Sequence, residues 1–347
     1  MISELESRAG TAPYSGERLK TIFFGGGTPS LFDPKSIGEV IDAANRICGI
    51  EQDAEITLEA NPGTVDLAKL AGMRAAGVNR ISFGAQSFNA ATLKFLGRIH
   101  SADDTRAAAQ MAHRAGFERL NLDLIFAVPG QTVADVLFDI ESVAALEPDH
   151  ISAYNLTFEE GTAFFTDLKR GRIKQLANDE QAAMYQTVRE EIPRRGYAMY
   201  EISNYAAPGH EARHNLTYWR GETYLGIGAG AHSYAGDGRG GQRKRWWNEK
   251  LPARYIAAIE ERANAEAGAE TIDENTAQSE FVFLNLRLRE GFALADFRER
   301  FGRNFECIFG GVATPLFNNG LLTLDRGRIK LTDRGLEMAD SVFAEFV

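Results

Sequence analysis

Thr21-Ile22-Phe23-Phe24-Gly25-Gly26-Gly27-Thr28-Pro29 runs an apolar stretch straight into three consecutive glycines. The first part reads as a strand, and the glycines as a turn whose bare backbone lets a ligand approach its N–H donors closely. Downstream, Glu59 closes Ile56-Thr57-Leu58-Glu59, Gln86 closes Ser82-Phe83-Gly84-Ala85-Gln86, and Asp123 sits within Leu120-Asn121-Leu122-Asp123-Leu124-Ile125. Polar groups at the C-terminal ends of successive strands mark the active face of a β/α barrel. The glycines lack the Lys-Ser/Thr of a P-loop and the spacing of a dinucleotide fingerprint, so a nucleotide phosphate is a poor fit. Taken alone they read equally well as a tight turn between strand and helix.

Working outward, short apolar runs alternate with longer amphipathic ones from about residue 20 to 155, the pattern of βα units on a parallel sheet. Strands are expected at Lys20–Phe24, Glu55–Glu59, Arg80–Gln86, Arg119–Phe126 and His150–Leu156. Helices are expected at Lys35–Cys48, Leu67–Ala76, Asp103–Ala115 and Val133–Leu146, with Gly77 and Gly116 as stops. Residues 1–10 read as a helix ending at Gly10, and 177–195 as another. Tyr197–Tyr205 and Arg213–Trp219 look extended, and Gly221 to Gly241 looks loop-like. Beyond residue 250 come helices at Pro252–Ala267, Asn275–Leu288 and Leu294–Phe301, then a hairpin over Leu322–Leu331 around Asp325-Arg326-Gly327. The expected fold is α/β: an incomplete parallel β/α barrel missing its first strand, over residues 1–235. A linker and helix over 236–270 lead to a smaller helical and winged domain over 271–347.

The 347 residues, 44% of them hydrophobic, are enough for a large core and two domains. A net charge of −10 argues against broad nucleic-acid binding, which draws on basic residues. No run of about 18 apolar residues reads as a membrane span, and Met1-Ile2-Ser3-Glu4 does not open a signal peptide, so a cytoplasmic protein is expected, with room for peripheral membrane association. Arg239 to Trp247 is a basic, Trp-bearing departure from the acidic whole. It reads as a solvated loop or as a grip in which Arg holds ligand carboxylates and Trp stacks on a flat ring.

The segments Gly25-Gly26-Gly27-Thr28-Pro29-Ser30, Glu59-Ala60-Asn61-Pro62, Ser82 to Phe88, Leu96-Gly97-Arg98, Asn121 to Phe126 and Val128-Pro129-Gly130-Gln131-Thr132 jointly resemble the radical S-adenosylmethionine (SAM) family of oxygen-independent coproporphyrinogen III oxidases. His214-Asn215-Leu216-Thr217-Tyr218-Trp219, followed by Gly226 to Ser233, resembles its HemW-like branch of haem chaperones. The resemblance implies that Gly26, Gly27 and Thr28 hold the amino end of SAM with Glu59 beside it. It also implies that Gln86, Arg98, Asp123, Thr157 and His232 line a second SAM position. Read singly, each acid or base in these strands is as well explained by a structural ion pair or cap.

The resemblance further implies a [4Fe–4S] cluster on three cysteines, whereas the chain holds only Cys48 and Cys307. The reading favoured is an N-terminally truncated barrel, the alternative a natural cluster-less relative; Cys48 and Cys307 read as structural thiols, with no metal site. Haem is the expected cargo, with His214, Asn215, Tyr218 and Trp219 as candidate contacts that serve equally as packing residues. The function implied is that of a haem chaperone passing haem to an acceptor protein. Coproporphyrinogen III oxidase, acting on a porphyrinogen, and a cluster-less tetrapyrrole-binding barrel are the rivals.

Overall fold

The computed structural model describes residues 1–10, 14, 16–236 and 243–347. In chain order the elements begin with α1 (Ile2–Ala9), β1 (Leu19–Phe24), α2 (Pro34–Cys48), β2 (Ile50–Ala60), α3 (Leu67–Ala75), β3 (Arg80–Gln86), α4 (Ala90–Phe95) and α5 (Ala102–Arg114). They continue with β4 (Arg119–Phe126), α6 (Val133–Ala144), β5 (His150–Asn155), α7 (Ala163–Lys169), α8 (Asn178–Arg194), β6 (Ala198–Glu201), β7 (Asn204–Ala206) and α9 (Arg213–Trp219). Next are β8 (His232–Ala235), β9 (Arg243–Asn248), α10 (Pro252–Arg262), β10 (Glu266–Ile272), α11 (Glu274–Leu286), β11 (Phe292–Ala293) and α12 (Leu294–Phe301). The chain closes with α13 (Phe305–Asn318), β12 (Leu322–Asp325), β13 (Arg328–Leu331), α14 (Asp333–Glu337) and α15 (Ala339–Ala344).

Seven strands form one half-barrel sheet in the order β1-β2-β3-β4-β5-β7-β6, as the α/β reading expects. β2, β3, β4 and β5 pair in parallel. β7 then runs antiparallel to both β5 and β6, because Ile202-Ser203 is too short a link for a parallel crossover. The helices between the parallel strands start where polar side chains satisfy their free N–H groups. Asp66, Asn89, Ser101, Thr132 and Thr162 all accept such bonds, and Ser101 and Thr132 form full capping boxes with Asp104 and Asp135. At the other ends Gly77 and Gly116 take φ of 108° and 85°, a conformation a side chain would resist.

Contacts divide the chain into two compact units: Ile22–Gly38 with Glu55–Ala212, and Met1–Thr21 with Glu39–Ala54 and Arg213–Val347. The first has a core of sheet and helix residues, with Leu58, Leu70, Met73, Ile81, Phe83, Leu120, Leu122 and Ile140 fully buried. The second centres on edge-on and tilted rings of Phe281, Phe292, Phe297, Phe301, Phe305 and Phe309. Its wing hairpin turns through Arg326 and Gly327, both at positive φ, the geometry that matches strand twist in a two-residue turn.

Four local expectations are corrected. Arg213–Trp219 is helical, not extended: a single apolar turn carries no period long enough to separate the two. The helix at Pro252 ends at Arg262, where Ala263 takes a left-handed φ of 52°, and the chain continues as β10. The stretch from Gly221 is not all loop, since His232–Ala235 is β8 in a three-stranded sheet β10-β9-β8. Arg243–Trp247 belongs to the central strand of that sheet rather than to a solvated loop; Arg239 lies outside the described residues.

Candidate functional site

The turn after β1 is shaped by its glycines. A Cβ on Gly25 would stand 2.4 Å from the Phe23 ring and 3.2 Å from Glu59 Oε2, so only glycine fits there. Gly26 and Gly27 take φ of 80° and 73°, and a Cβ on either would meet nothing within 4 Å. The turn is thus held in a glycine-only conformation with open space above it. Gly26 N–H donates to Glu59 Oε2 at 3.2 Å, and Asn61 Nδ2 donates to Thr28 Oγ1 at 3.2 Å, tying the turn to the end of β2.

The Asp123 charge acts on Glu59. The Glu59 carboxyl is held above the usual range by burial first and by the Asp123 charge second, against the Gly26 hydrogen bond. Burial also raises Asp123, opposed by hydrogen bonds from Ser152 and Asn121 and by the charges of Arg80 and Arg98. Two buried acids whose proton affinity is raised, one of them by the charge of the other, form a site that a cation would stabilise. Gln86 stands at the end of the neighbouring β3, buried, with a left-handed φ of 67° where the β3–β4 register shifts. Its amide Nε2 lies 2.7 Å from where a Gly84 Cβ would be, and its Oε1 has no hydrogen-bond partner. A strained backbone and an unsatisfied acceptor together at a strand end are features of ligand sites.

A buried network positions Asp123. Asn121 Nδ2 donates to Asp123 Oδ1 at 2.7 Å and to Ser82 Oγ at 2.8 Å, while its Oδ1 accepts from Ser152 Oγ at 3.2 Å. His150 Nδ1 stands 2.5 Å from Asn121 Oδ1, and His150 Nε2 stands 2.8 Å from the Tyr200 hydroxyl. Burial and Arg80 keep the His150 ring neutral, its pKa well below the ordinary value. Asn61, Asn121, His150 and Tyr200 are not among the site residues expected from the sequence. Strand alternation was the available signal for Asn121, since two residues apart from Asp123 puts both on one face.

Of the other expected residues, Thr157 lies exposed just beyond β5. His232 lies on β8 in the other unit, exposed, with its ring over Trp247 at 6.0 Å. In that unit α9 carries the histidine motif. His214 Nδ1 is 2.8 Å from Thr21 Oγ1 and its Nε2 is 2.8 Å from the Tyr218 hydroxyl. With the proton on Nδ1 and Thr21 accepting it, Nε2 is the lone-pair nitrogen facing Tyr218. Burial first and Tyr224 second push the Tyr218 hydroxyl up to about 12, so it stays a donor at neutral pH. Asn215 is half-buried, and Trp219 lies under the Arg287 guanidinium at 4.3 Å with its indole N–H unpartnered.

The donor set does not fit an iron–sulfur cluster. Three thiolates are needed, whereas the chain has Cys48, half-buried at the end of α2, and Cys307, exposed on α13. The glycine turn with Glu59 and Asp123 does fit the ammonium-bearing end of a SAM-like ligand.

Comparison with known proteins bears on this arrangement. A model of the radical SAM superfamily matches residues 4–143, and one of the HemN C-terminal domain matches residues 272–337. The chain is 36% identical over 333 residues to the haem chaperone HemW of Lactococcus lactis, covering 95% of this chain and 85% of that protein. It is 35% identical over 330 residues to HemW of Bacillus subtilis, covering 95% and 86%. Among solved structures, the coproporphyrinogen III oxidase HemN of Escherichia coli superposes with a TM-score of 0.82 at 23% identity, over 99% of this chain and 81% of that one, a likeness of fold.

Proposed function

We propose that this chain, which belongs to the HemW family of radical SAM proteins, is a haem chaperone that holds haem through the α9 motif and SAM in the glycine turn, and passes haem to an acceptor protein. Identity to named haem chaperones over nearly the whole chain carries the reading. In the turn, Gly26, Gly27 and Thr28 offer backbone and hydroxyl groups to the amino-acid end of SAM, and Glu59 pairs with its ammonium. Gln86, Arg98 and Asp123 shape the cavity wall beside it, with Thr157 and His232 as more distant candidates for a second SAM position. Bound SAM would contribute a sulfonium and an ammonium. At α9, His214 Nε2 is the nitrogen positioned to meet iron once the Tyr218 hydroxyl turns away, while Thr21 fixes the tautomer from the other side. Asn215 and Trp219 complete the haem face.

A haem titration followed by absorption tests the reading, alongside an anaerobic coproporphyrinogen III assay. The expected result is saturable haem binding with a defined spectrum that His214→Ala alters, because replacing an axial imidazole changes the ligand field directly. A folded protein that consumes coproporphyrinogen III and leaves haem unbound would overturn it in favour of the oxidase.

A further inference from the structure

Within the unit that carries α9, a cavity of about 1350 Å³ opens where that helix ends, at Arg220 and Gly221. Its wall includes Arg243 of β9, Phe281 of α11, and Arg300 and Phe301 of α12. Arg243 is only 6% exposed, and among the described residues no carboxylate pairs with it; its Nε has no hydrogen-bond partner. Its guanidinium rests instead on the Phe301 ring at 5.3 Å. Arg300 lies over the same ring at 6.0 Å and over Phe281 at 5.6 Å. Among the described residues it donates only to the backbone carbonyls of Arg220 and Gly221, and its Nε too is unpartnered.

A buried guanidinium facing a cavity without a counter-ion is costly, and carbonyl oxygens and ring faces offset only part of that cost. The carboxylates on the same wall do not answer it. Glu290 is taken up by Arg220 and Arg328 and Glu274 accepts from Gln278 Nε2, while Glu222, Glu274, Asp296 and Glu299 stand on the exposed rim. An anionic ligand would complete the electrostatics, and the shared Phe301 face between two guanidinium groups suits a flat, apolar body bearing two carboxylates.

We infer that this cavity is the seat of the haem carboxylates, with Arg243 and Arg300 taking the two propionates and Phe281 and Phe301 packing on the macrocycle edge. The inference rests on the chaperone reading and adds to it the site that orients the cargo. Neither arginine is part of the α9 motif, so each can be varied without touching His214.

The test compares iron protoporphyrin IX with its dimethyl ester, which keeps the ring and iron but has no carboxylate charge, in optical titrations of the intact protein. Wild-type protein should bind haem about ten- to a hundredfold more tightly than the ester, the range expected for charged hydrogen bonds. Arg300→Gln and Arg243→Gln should each lower haem affinity and leave ester affinity unchanged, narrowing that ratio. Should Arg243→Gln not fold, the wild-type ratio and Arg300→Gln still decide the matter. Equal affinity for haem and ester in the wild type, or variants that keep the full ratio, would overturn the subsite and leave the chaperone reading standing. A folded wild-type protein that binds neither ligand overturns the chaperone reading itself.

Discussion

The residues that matter most combine a fixed backbone with a perturbed charge. Glu59 is held by Gly26 N–H and raised by burial and by Asp123, so a ligand ammonium competes with a proton for it. Glu59→Gln should weaken SAM binding by about 1.5–3 kcal/mol. In the wild type, affinity should fall as the pH drops through the raised Glu59 value. Calorimetry at two pH values checks both, and unchanged affinity in a folded variant would remove Glu59 from the site. Asp139, 3% exposed, accepts from Ser87 Oγ at 2.7 Å and from Phe88 N–H at 2.6 Å. Burial nevertheless pushes it up to about 6. Its folded value lies above its unfolded one, so its stabilising contribution is complete at about pH 4 and is lost as the pH rises through 6. The melting temperature of wild type minus that of Asp139→Asn should therefore decrease across that window; a flat difference refutes the assignment.

Among elements, α1 shows how a short helix is held by one buried side chain. Eight residues are too few to be helical alone, and α1 is fastened through Glu4, which is fully buried. Glu4 Oε2 accepts from Gly228 N–H at 2.9 Å and from the Tyr255 hydroxyl at 2.6 Å. Its Oε1 accepts from Asn248 Nδ2 at 2.6 Å, and Arg8 stands 3.5 Å away. Glu4→Ala takes the acceptor from Gly228 N–H and the Tyr255 hydroxyl and one ion-pair partner from Arg8, and should cost about 3–5 kcal/mol. A thermal melt and hydrogen exchange read this: α1 amides should lose protection first, and a variant as stable and as protected as wild type would refute the role. The contrast with α9 is instructive. Its histidine gains both ring contacts, to Thr21 and to Tyr218, only because Arg213–Trp219 is a helix, which places residues four apart on one face.

For the molecule as a whole, the donor set sets a limit on chemistry. Two thiols on α2 and α13 cannot supply the three that leave one iron of a [4Fe–4S] cluster open. Anaerobic reconstitution of these 347 residues should yield no stoichiometric iron and sulfide and no 5′-deoxyadenosine from SAM; finding either would show a ligand set outside the cysteines. Among the described residues no helix is long and apolar enough to cross a membrane. The ester comparison and the haem titration probe the proposed haem binding directly.

Local chemistry determined a large part of this protein without any structure. Alternating apolar runs, polar caps at Ser101 and Thr132 and glycine stops at Gly77 and Gly116 set β3, β4 and their helices to within two residues, because caps and positive φ act over a few residues. The Asp325-Arg326-Gly327 hairpin was legible for the same reason. Tertiary structure alone decided the rest. Whether Arg213–Trp219 coils or extends, and whether Arg243 meets solvent or is buried against Phe301, depends on partners far along the chain. So do the raised proton affinities of Glu59 and Asp123 and the network from Asp123 to Tyr200, since electrostatics and burial act through space and a linear pattern records only neighbours.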